Sequence, residues 1–323
     1  MTWPSARLLG RRRVRVVLGV LWLIDAALQA EPTKFNGDYP LHDLAQAVMG
    51  APSWVNRSVF AGLQPFVGHW PWWNLAATVL QAAIGVALLG GRLVRPALAV
   101  SFVWALAVWW LGEAFGTLTT GLALFASGAP GAVLLYAVLG ALAWPHHRRD
   151  DVDPRWWSLA WVTLWVGMVA VQLLTSNPPG RVLSANLGEL SRGQPHLLQE
   201  TAEWMERLVT HHAGAIMAIL VVAQLTVGLG AFNRRGRRLW LGVGIALSLF
   251  FWVVFQQMGA IFTSSATDLN TAPLVVVLAL AAWPGRAIRA RRPVFAGTTV
   301  GNVLVGTPLP AADLNSLRTH LKS

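Results

Sequence analysis

Eight long apolar runs alternate with polar connections along this chain. The runs cover residues 14–30, 72–91, 96–112, 128–145, 157–174, 212–232, 239–257 and 270–285. A helix needs about 20 mostly apolar residues to cross the hydrocarbon core of a bilayer, and most of the runs approach that length. The fourth and eighth runs are shorter and end in Trp144-Pro145 and Trp283-Pro284. The pattern predicts an all-α, polytopic membrane helix bundle with eight transmembrane helices.

Basic residues are distributed unevenly between the polar connections. All but five of the 25 lysines and arginines precede or open the first run, follow the eighth, or lie in every second connection between them. The five exceptions are Lys34, Arg57, Arg181, Arg192 and Arg207. Connections rich in lysine and arginine stay on the cytoplasmic side of a membrane. We therefore expect a multi-pass protein of the cell membrane with cytoplasmic N- and C-termini.

The chain also matches itself at an offset of 143 residues. The matched pairs include Trp22 with Trp165, Gln29 with Gln172, His69 with His212, Gln81 with Gln224, Arg92 with Arg235, and Trp109 with Trp252. Near its end the second copy is four residues shorter than the first. Because each copy contains an even number of predicted spans, both copies have the same orientation in the membrane. We expect two parallel four-helix repeats, related by an axis along the membrane normal and separated by a cleft.

The repeat predicts the organisation of the whole chain. Its parts are a basic cytoplasmic N-terminus (1–13), a first four-helix repeat (14–147), a cytoplasmic linker (148–156), a second four-helix repeat (157–285) and a cytoplasmic tail (286–323). Two long outer connections, 31–71 and 175–211, have helical periodicity, and they either cap the bundle or form a lid over a binding site. Two segments rich in Gly, Ser and Thr, 113–127 and 258–269, are either outer loops or re-entrant.

Composition agrees with a membrane protein and excludes several chemistries. The chain is 55% hydrophobic and 12% charged, whereas soluble domains carry about 25% charged residues. The lipid bilayer is therefore its expected partner. A net charge of +11 is spread over alternate connections, while nucleic-acid binding requires one contiguous basic face, so we expect no nucleic acid. The absence of cysteine excludes disulfides and thiolate metal sites.

Two acids are the candidate catalytic residues, because ionisable groups within membrane segments are costly and usually functional. Asp25 lies inside the first apolar run, and its repeat partner is Met168. Glu113 follows the third run, and its partner is Gln256. The acids therefore belong to the first repeat alone, which suits one active half and one structural half. The alternative is that Asp25 lies near the outer interface and pairs with an amide or water.

Polar and aromatic residues, most of them matched between the two copies, are the candidate ligand-binding residues. They are His69, His211 and His212 at the ends of runs, Gln81 and Gln224 within runs, and Trp109 and Trp252. Glutamine in membranes also serves simply to hydrogen-bond neighbouring helices. Histidine binds metal, but neither the HxxxH nor the HxH spacing occurs, so no metal site is predicted. The sequence contains no recognisable catalytic motif, so it predicts no enzyme class.

The repeat unit resembles the DoxX-like group of four-helix membrane proteins. The resemblance rests on Leu21-Trp22, the Gly50-x-Pro52 turn, and the stretch from Gln81 to Gly91 followed by Arg92 and Arg95. The second copy keeps Leu164-Trp165, Gly193-x-Pro195, Gln224, Gly228, Arg235 and Arg238. That group often has Glu where this chain has Gln81 and Gln224. The resemblance implies redox work in the membrane, with quinone as ligand and a partner protein subunit.

Three functional hypotheses follow. The first is a redox- or quinone-associated subunit or accessory of a membrane complex, binding its ligand in the outer half. The second is a carrier or assembly factor for lipid or another small molecule, using the cleft between the repeats. The third is an enzyme acting at the outer interface with Asp25 or Glu113 as base.

Overall fold

A computed structural model of the protein describes residues 9–36, 47–145, 154–174, 178–233 and 235–284. Regular structure in these ranges is helical throughout. The helices are α1 (Arg11–Gln29), α2 (Ser53–Leu63), α3 (Trp70–Gly90), α4 (Val94–Leu111), α5 (Ala132–Ala143), α6 (Pro154–Leu173), α7 (Pro179–Leu190), α8 (His196–Gly230), α9 (Arg237–Phe250) and α10 (Thr271–Ala282). The predicted tail, 286–323, and most of the predicted linker, 148–156, lie outside the described residues.

Each of the eight predicted apolar runs contains a helix, and five helices in the described ranges are long and apolar enough to cross a membrane. These five are α3, α4, α6 from Trp156, α8, and α9 extended to Phe255. The fold is therefore that of an all-helical protein compatible with multiple membrane crossings. Helix α1 carries several arginines, and α5 and α10 have only 12 residues each. Twelve residues span about 18 Å, less than a bilayer core of about 30 Å. Eight crossings therefore stay a prediction.

The two short helices lie at the centre of the bundle. Helices α5 and α10 contact each other, and each contacts both α1 and α6. Most of their residues are buried, including Tyr136 and Leu139 in α5 and Val275 and Leu278 in α10. Protein, rather than lipid, therefore surrounds these helices, and this is the environment that tolerates interrupted helices at membrane depth.

An unusual left-handed turn precedes each short helix. Residues 114–117 have φ values between 45° and 64°, and residues 257–260 have φ values between 46° and 71°. Only one residue in each turn is glycine, although other residues prefer right-handed conformations by roughly 1–2 kcal/mol. The two turns lie 143 positions apart, the offset of the predicted repeat.

Two tryptophans fasten the segments that follow these turns. The indole N–H of Trp109 donates to the carbonyl oxygen of Pro130 at 2.8 Å. The indole N–H of Trp252 donates to the carbonyl oxygen of Leu269, also at 2.8 Å. Each bond joins the end of a long helix to the backbone just before a short helix. Trp109 and Trp252, which the sequence suggested as ligand-binding residues, therefore stabilise the fold.

Both long outer connections contain helices. The periodicity of the second connection is confirmed, whereas most of the periodic stretch of the first, 41–48, lies outside the described residues. Helix α2 lies in the first connection, and α7 and the first part of α8 lie in the second. A break at His212 (φ −128°, ψ 32°) interrupts α8. His69 has nearly the same conformation (φ −126°, ψ 21°) immediately before α3. Both matched histidines therefore mark the point at which an apolar helix begins.

Candidate functional site

A cavity of about 420 Å³ lies in the first half of the molecule, residues 9–145, where α1 and α4 end and α3 begins. We call it the first-half cavity. Its walls are largely aromatic and include Trp22, Trp70, Trp73 and Trp104. Its polar lining includes Asp25, Gln29, Asn74, Gln81, Glu113 and Asp268. The cavity lies mainly within the first half, the repeat that carries both candidate acids, and is completed by a segment of the second half.

Asp25 is on the last turns of α1, and only 2% of its surface is exposed. The hydroxyl of Tyr136, from α5, lies near its carboxyl group, but among the described residues it makes no hydrogen bond of good geometry. The Tyr136 ring packs on Trp22 with the ring centroids 4.6 Å apart, which holds the tyrosine in place. Within the described residues, Oδ1 of Asp25 has no hydrogen-bond partner. The carboxyl of Asp25 is therefore buried beside a cavity, and its position relative to the membrane interface stays a prediction.

Glu113 lies just beyond α4 and points towards the start of α5. Its Oε1 accepts a long hydrogen bond of 3.5 Å from the backbone N–H of Val133. Its Oε2 is buried and has no partner in the described ranges. Burial raises the pKa of Glu113 well above its ordinary value, and the nearby charge of Asp268 raises it further. A glycine at 131 is required here, because a Cβ would lie 1.9 Å from Oε2 of Glu113.

Asp268 is a third acid, which the sequence analysis did not select. It lies between α9 and α10, and the segment 265–268 forms part of the cavity wall. Its Oδ1 accepts a 2.6 Å hydrogen bond from the backbone N–H of Asn270. Burial raises the pKa of Asp268, an effect opposed by its hydrogen bonds and by the charge of Lys34. Asp268 interacts electrostatically with both Asp25 and Glu113, and all three acids line the cavity.

Lys34 holds the Asp268 segment against the first half. The residue follows α1, and its side chain is completely buried. Its ammonium donates hydrogen bonds to the carbonyl oxygens of Leu28, at 3.0 Å, and Ala266. Sequence analysis identified Lys34 only as an outer basic residue. The sequence feature that distinguishes Lys34 from the other outer basic residues is its position only five residues after α1.

Amide side chains line the rest of the polar wall. The Gln29 amide donates to Oδ1 of Asn74, and the Asn74 amide donates to the backbone oxygen of Gln29 at 3.1 Å. These bonds join α1 to α3. Gln81 lines the cavity, and its Oε1 is buried with no partner in the part of the chain that is described.

The remaining predicted site residues do not reach the cavity. His69, His211 and His212 are exposed, and the Nδ1 atoms of the first two lie near the backbone oxygens of Val67 and Arg207. Gln224 is buried in the second half. Among the residues with a described position, no cluster of three metal-ligating side chains occurs. The structure thus brings together Asp25, Glu113 and Gln81 from the predicted set and adds Asp268.

Three features determine what the first-half cavity can bind. Asp25, Glu113 and Gln81 each present a buried oxygen without a donor, and such atoms are costly unless a ligand or water supplies one. Tryptophan walls favour a planar apolar ring. Carboxyls that influence one another in a low-dielectric site hold protons readily, because they do not all ionise together. Comparison with models of protein families, with curated proteins and with solved structures finds no match to this chain.

Proposed function

We propose that this chain is a DoxX-like membrane protein of two parallel four-helix repeats, with eight spans and cytoplasmic termini, which binds a quinol in its first-half cavity. It acts in the cell membrane as a redox-associated subunit and presents the quinol to a partner protein. The observation that carries the proposal is the set of buried acceptor oxygens on Asp25, Glu113 and Gln81 without donors.

The repeat is supported by structural features that recur at one offset. The left-handed turns at 114–117 and 257–260 have matching φ values. The indoles of Trp109 and Trp252 make the same type of backbone hydrogen bond. These features are not properties of apolar sequence in general, so they favour two copies of one unit.

The choice of a quinol rests on donor and acceptor chemistry. A quinol has two hydroxyl donors at opposite ends of a flat ring, and these donors satisfy buried carboxylate and amide oxygens. A quinone has only acceptor oxygens, so it cannot pair with ionised carboxylates and needs donors such as a protonated acid or the indole N–H of Trp104. The cavity should therefore prefer the reduced form when its acids are ionised. Stacking on Trp22 and Trp104 suits the ring of either form.

A carrier of lipid or another small molecule is the second candidate, and one observation favours it. Helices α5 and α10 are short, central and preceded by irregular segments. Secondary transporters bind their substrates at interrupted helices of this kind. Transport predicts ligand flux across vesicles that contain the purified protein, whereas a quinol-binding subunit predicts binding without flux.

A binding titration tests the proposal. The probe is a decyl-tailed benzoquinol, titrated into purified protein beside its oxidised quinone. Ala107 on α4 lines the cavity, so Ala107→Trp should fill it and abolish quinol binding. Leu106→Trp is the matched control, because Leu106 is the neighbouring residue and is exposed on the outside of the helix. Quinol affinity that is the same in both variants, or no binding to the parent chain, would contradict the proposal.

A further inference from the structure

Phe125 crosses from the first half of the molecule into the second, which comprises residues 154–284. It lies in the segment between α4 and α5, and its side chain is only 2% exposed. Its ring packs edge-on against Trp165, with centroids 4.8 Å apart, and against Phe251, with centroids 6.0 Å apart. A first-half residue therefore fills an aromatic site built by α6 and by the extension of α9.

The aromatic site in the second half corresponds to the cavity in the first. The residues 143 positions before Trp165 and Phe251 are Trp22 and Val108, and both line the first-half cavity. The corresponding segment of the second half crosses in the opposite direction: residues 265–268 line the first-half cavity. That segment belongs to the shorter copy and places an acid and two hydroxyls there instead of a phenylalanine. The Phe125 ring therefore occupies, in the second half, the position that corresponds to the open cavity in the first half.

Some buried polar atoms in the second half have no hydrogen-bond partner. Gln224, which matches the cavity residue Gln81, is completely buried. Within the described ranges neither its amide nitrogen nor its amide oxygen has a hydrogen-bond partner, and the same is true of the indole nitrogen of Trp165. Buried polar groups are normally satisfied, and exceptions often mark the place of a missing ligand or water.

We infer that the second half contains a latent binding site for the oxidised quinone, lined by Trp165, Gln224 and Phe251 and closed by the Phe125 ring. This inference rests on the proposed function. Met168 and Gln256 replace the acids Asp25 and Glu113, so the latent site has no matching carboxyls. It instead offers two donors without partners, the Gln224 amide and the Trp165 indole. Quinone carbonyls accept from such donors, and because the latent site has no carboxylate to accept from a quinol hydroxyl, it favours the oxidised form.

The experiment uses the full chain with Ala107→Trp present, so that the first-half cavity is filled and bound ligand reports the second half alone. In this background we expect no binding of decyl-benzoquinone, and we expect Phe125→Ala to create one quinone site per chain. Adding Gln224→Leu should weaken that site at least about tenfold, since it removes a hydrogen bond to the ligand.

The matched control is Phe255→Ala in the same background. Phe255 is buried and packs on Phe251, so its loss also creates space in the aromatic cluster, and we expect no quinone binding. Circular dichroism and gel filtration establish that each variant is folded, and Phe125→Leu replaces Phe125→Ala if the latter unfolds. A folded Phe125 variant that binds no quinone, or a Phe255→Ala variant that binds equally well, overturns the inference. Failure of the parent chain to bind quinol counts only against the proposed function.

Discussion

Gln256 performs in the second half the capping interaction that Glu113 performs in the first. Oε1 of Gln256 accepts from the backbone N–H of Ala272 at 3.2 Å, and Oε1 of Glu113 accepts from that of Val133 at 3.5 Å. In each case the donor is the second residue of a short helix, α10 or α5. An amide is therefore sufficient for capping, and the second oxygen and charge of Glu113 are available for another role.

Glu113→Gln should separate these two roles. We expect the variant to keep its fold, because the Gln256 arrangement shows that an amide caps the short helix. At pH values above the folded-state pKa of Glu113, where the carboxylate is charged, we expect quinol affinity to fall about tenfold or more, since a hydrogen bond to a charged acceptor is worth about 1.5–3 kcal/mol. Calorimetric titration measures the affinity, and thermal unfolding in detergent measures the stability. Unchanged quinol affinity would show that Glu113 serves only as a cap.

Stability should decrease as pH rises, because burial raises the folded-state pKa of Asp268 and Glu113. In the unfolded chain these groups release their protons near their ordinary pKa values of 3.8 and 4.5. Above those values the folded protein binds more protons than the unfolded chain, so the free energy of unfolding falls until pH passes the folded-state pKa.

Asp268→Asn should reduce the slope of the free energy of unfolding against pH. Chemical unfolding measured from about pH 4 to about pH 8 checks the sign, and a slope that is the same in the variant would refute the assignment to Asp268.

Lys34→Met should loosen the wall of the first-half cavity. The change removes the hydrogen bonds to Leu28 and Ala266 and the positive charge near Asp268. We expect a loss of about 1–3 kcal/mol in the free energy of unfolding, with weaker quinol binding, because buried acceptors lose their donor. The double variant Lys34→Met/Asp268→Asn should recover part of the loss, as interacting residues do in a double-mutant cycle. Strictly additive effects would show that Lys34 and Asp268 are uncoupled.

Much of the fold was predictable because apolar runs are a local signal. All eight predicted runs contain helices, and the acids Asp25 and Glu113, selected because charge is costly in apolar surroundings, line one cavity. The short helices were less predictable. The fourth run was predicted over 128–145, whereas α5 covers Ala132–Ala143. Residues 128–131 are Gly-Ala-Pro-Gly, and these turn-forming residues were counted as part of the apolar run.

The missing parts of the site depend on contacts that local sequence does not encode. The bond from Lys34 to Ala266 joins residues 232 positions apart. Asp268 lies in a polar segment between two helices, and nothing in its neighbourhood distinguishes it from a solvent-exposed acid. Phe125 likewise resembles any apolar residue until the contact with Trp165 shows which half it enters.

Gly116→Ala should be strongly destabilising. Gly116 has a φ of +60°, and an added Cβ would lie 1.7 Å from the carbonyl oxygen of Pro130. The left-handed conformation and the clash with rigid backbone together predict a loss of about 2–4 kcal/mol in the free energy of unfolding. Gly90→Ala is the control, because no atom lies within 4 Å of its added Cβ, and it should change stability by less than about 1 kcal/mol. Equal stability of the two variants would refute the close packing at Gly116.

The predicted membrane topology can be tested by labelling, because the chain contains no cysteine and every introduced cysteine is unique. Arg57 and Glu200 are 143 positions apart on the side predicted to be outside, and Arg92 and Arg235 are a matched pair predicted to be inside. We expect a membrane-impermeant maleimide added to intact cells to label Arg57→Cys and Glu200→Cys but not the other two. Arg149→Cys should behave like Arg92→Cys if α4 and α5 both cross the membrane, since two crossings return the chain to the same face. Labelling of Arg149→Cys from outside would show that the 12-residue helix α5 does not complete a crossing, and the eight-span proposal would fail.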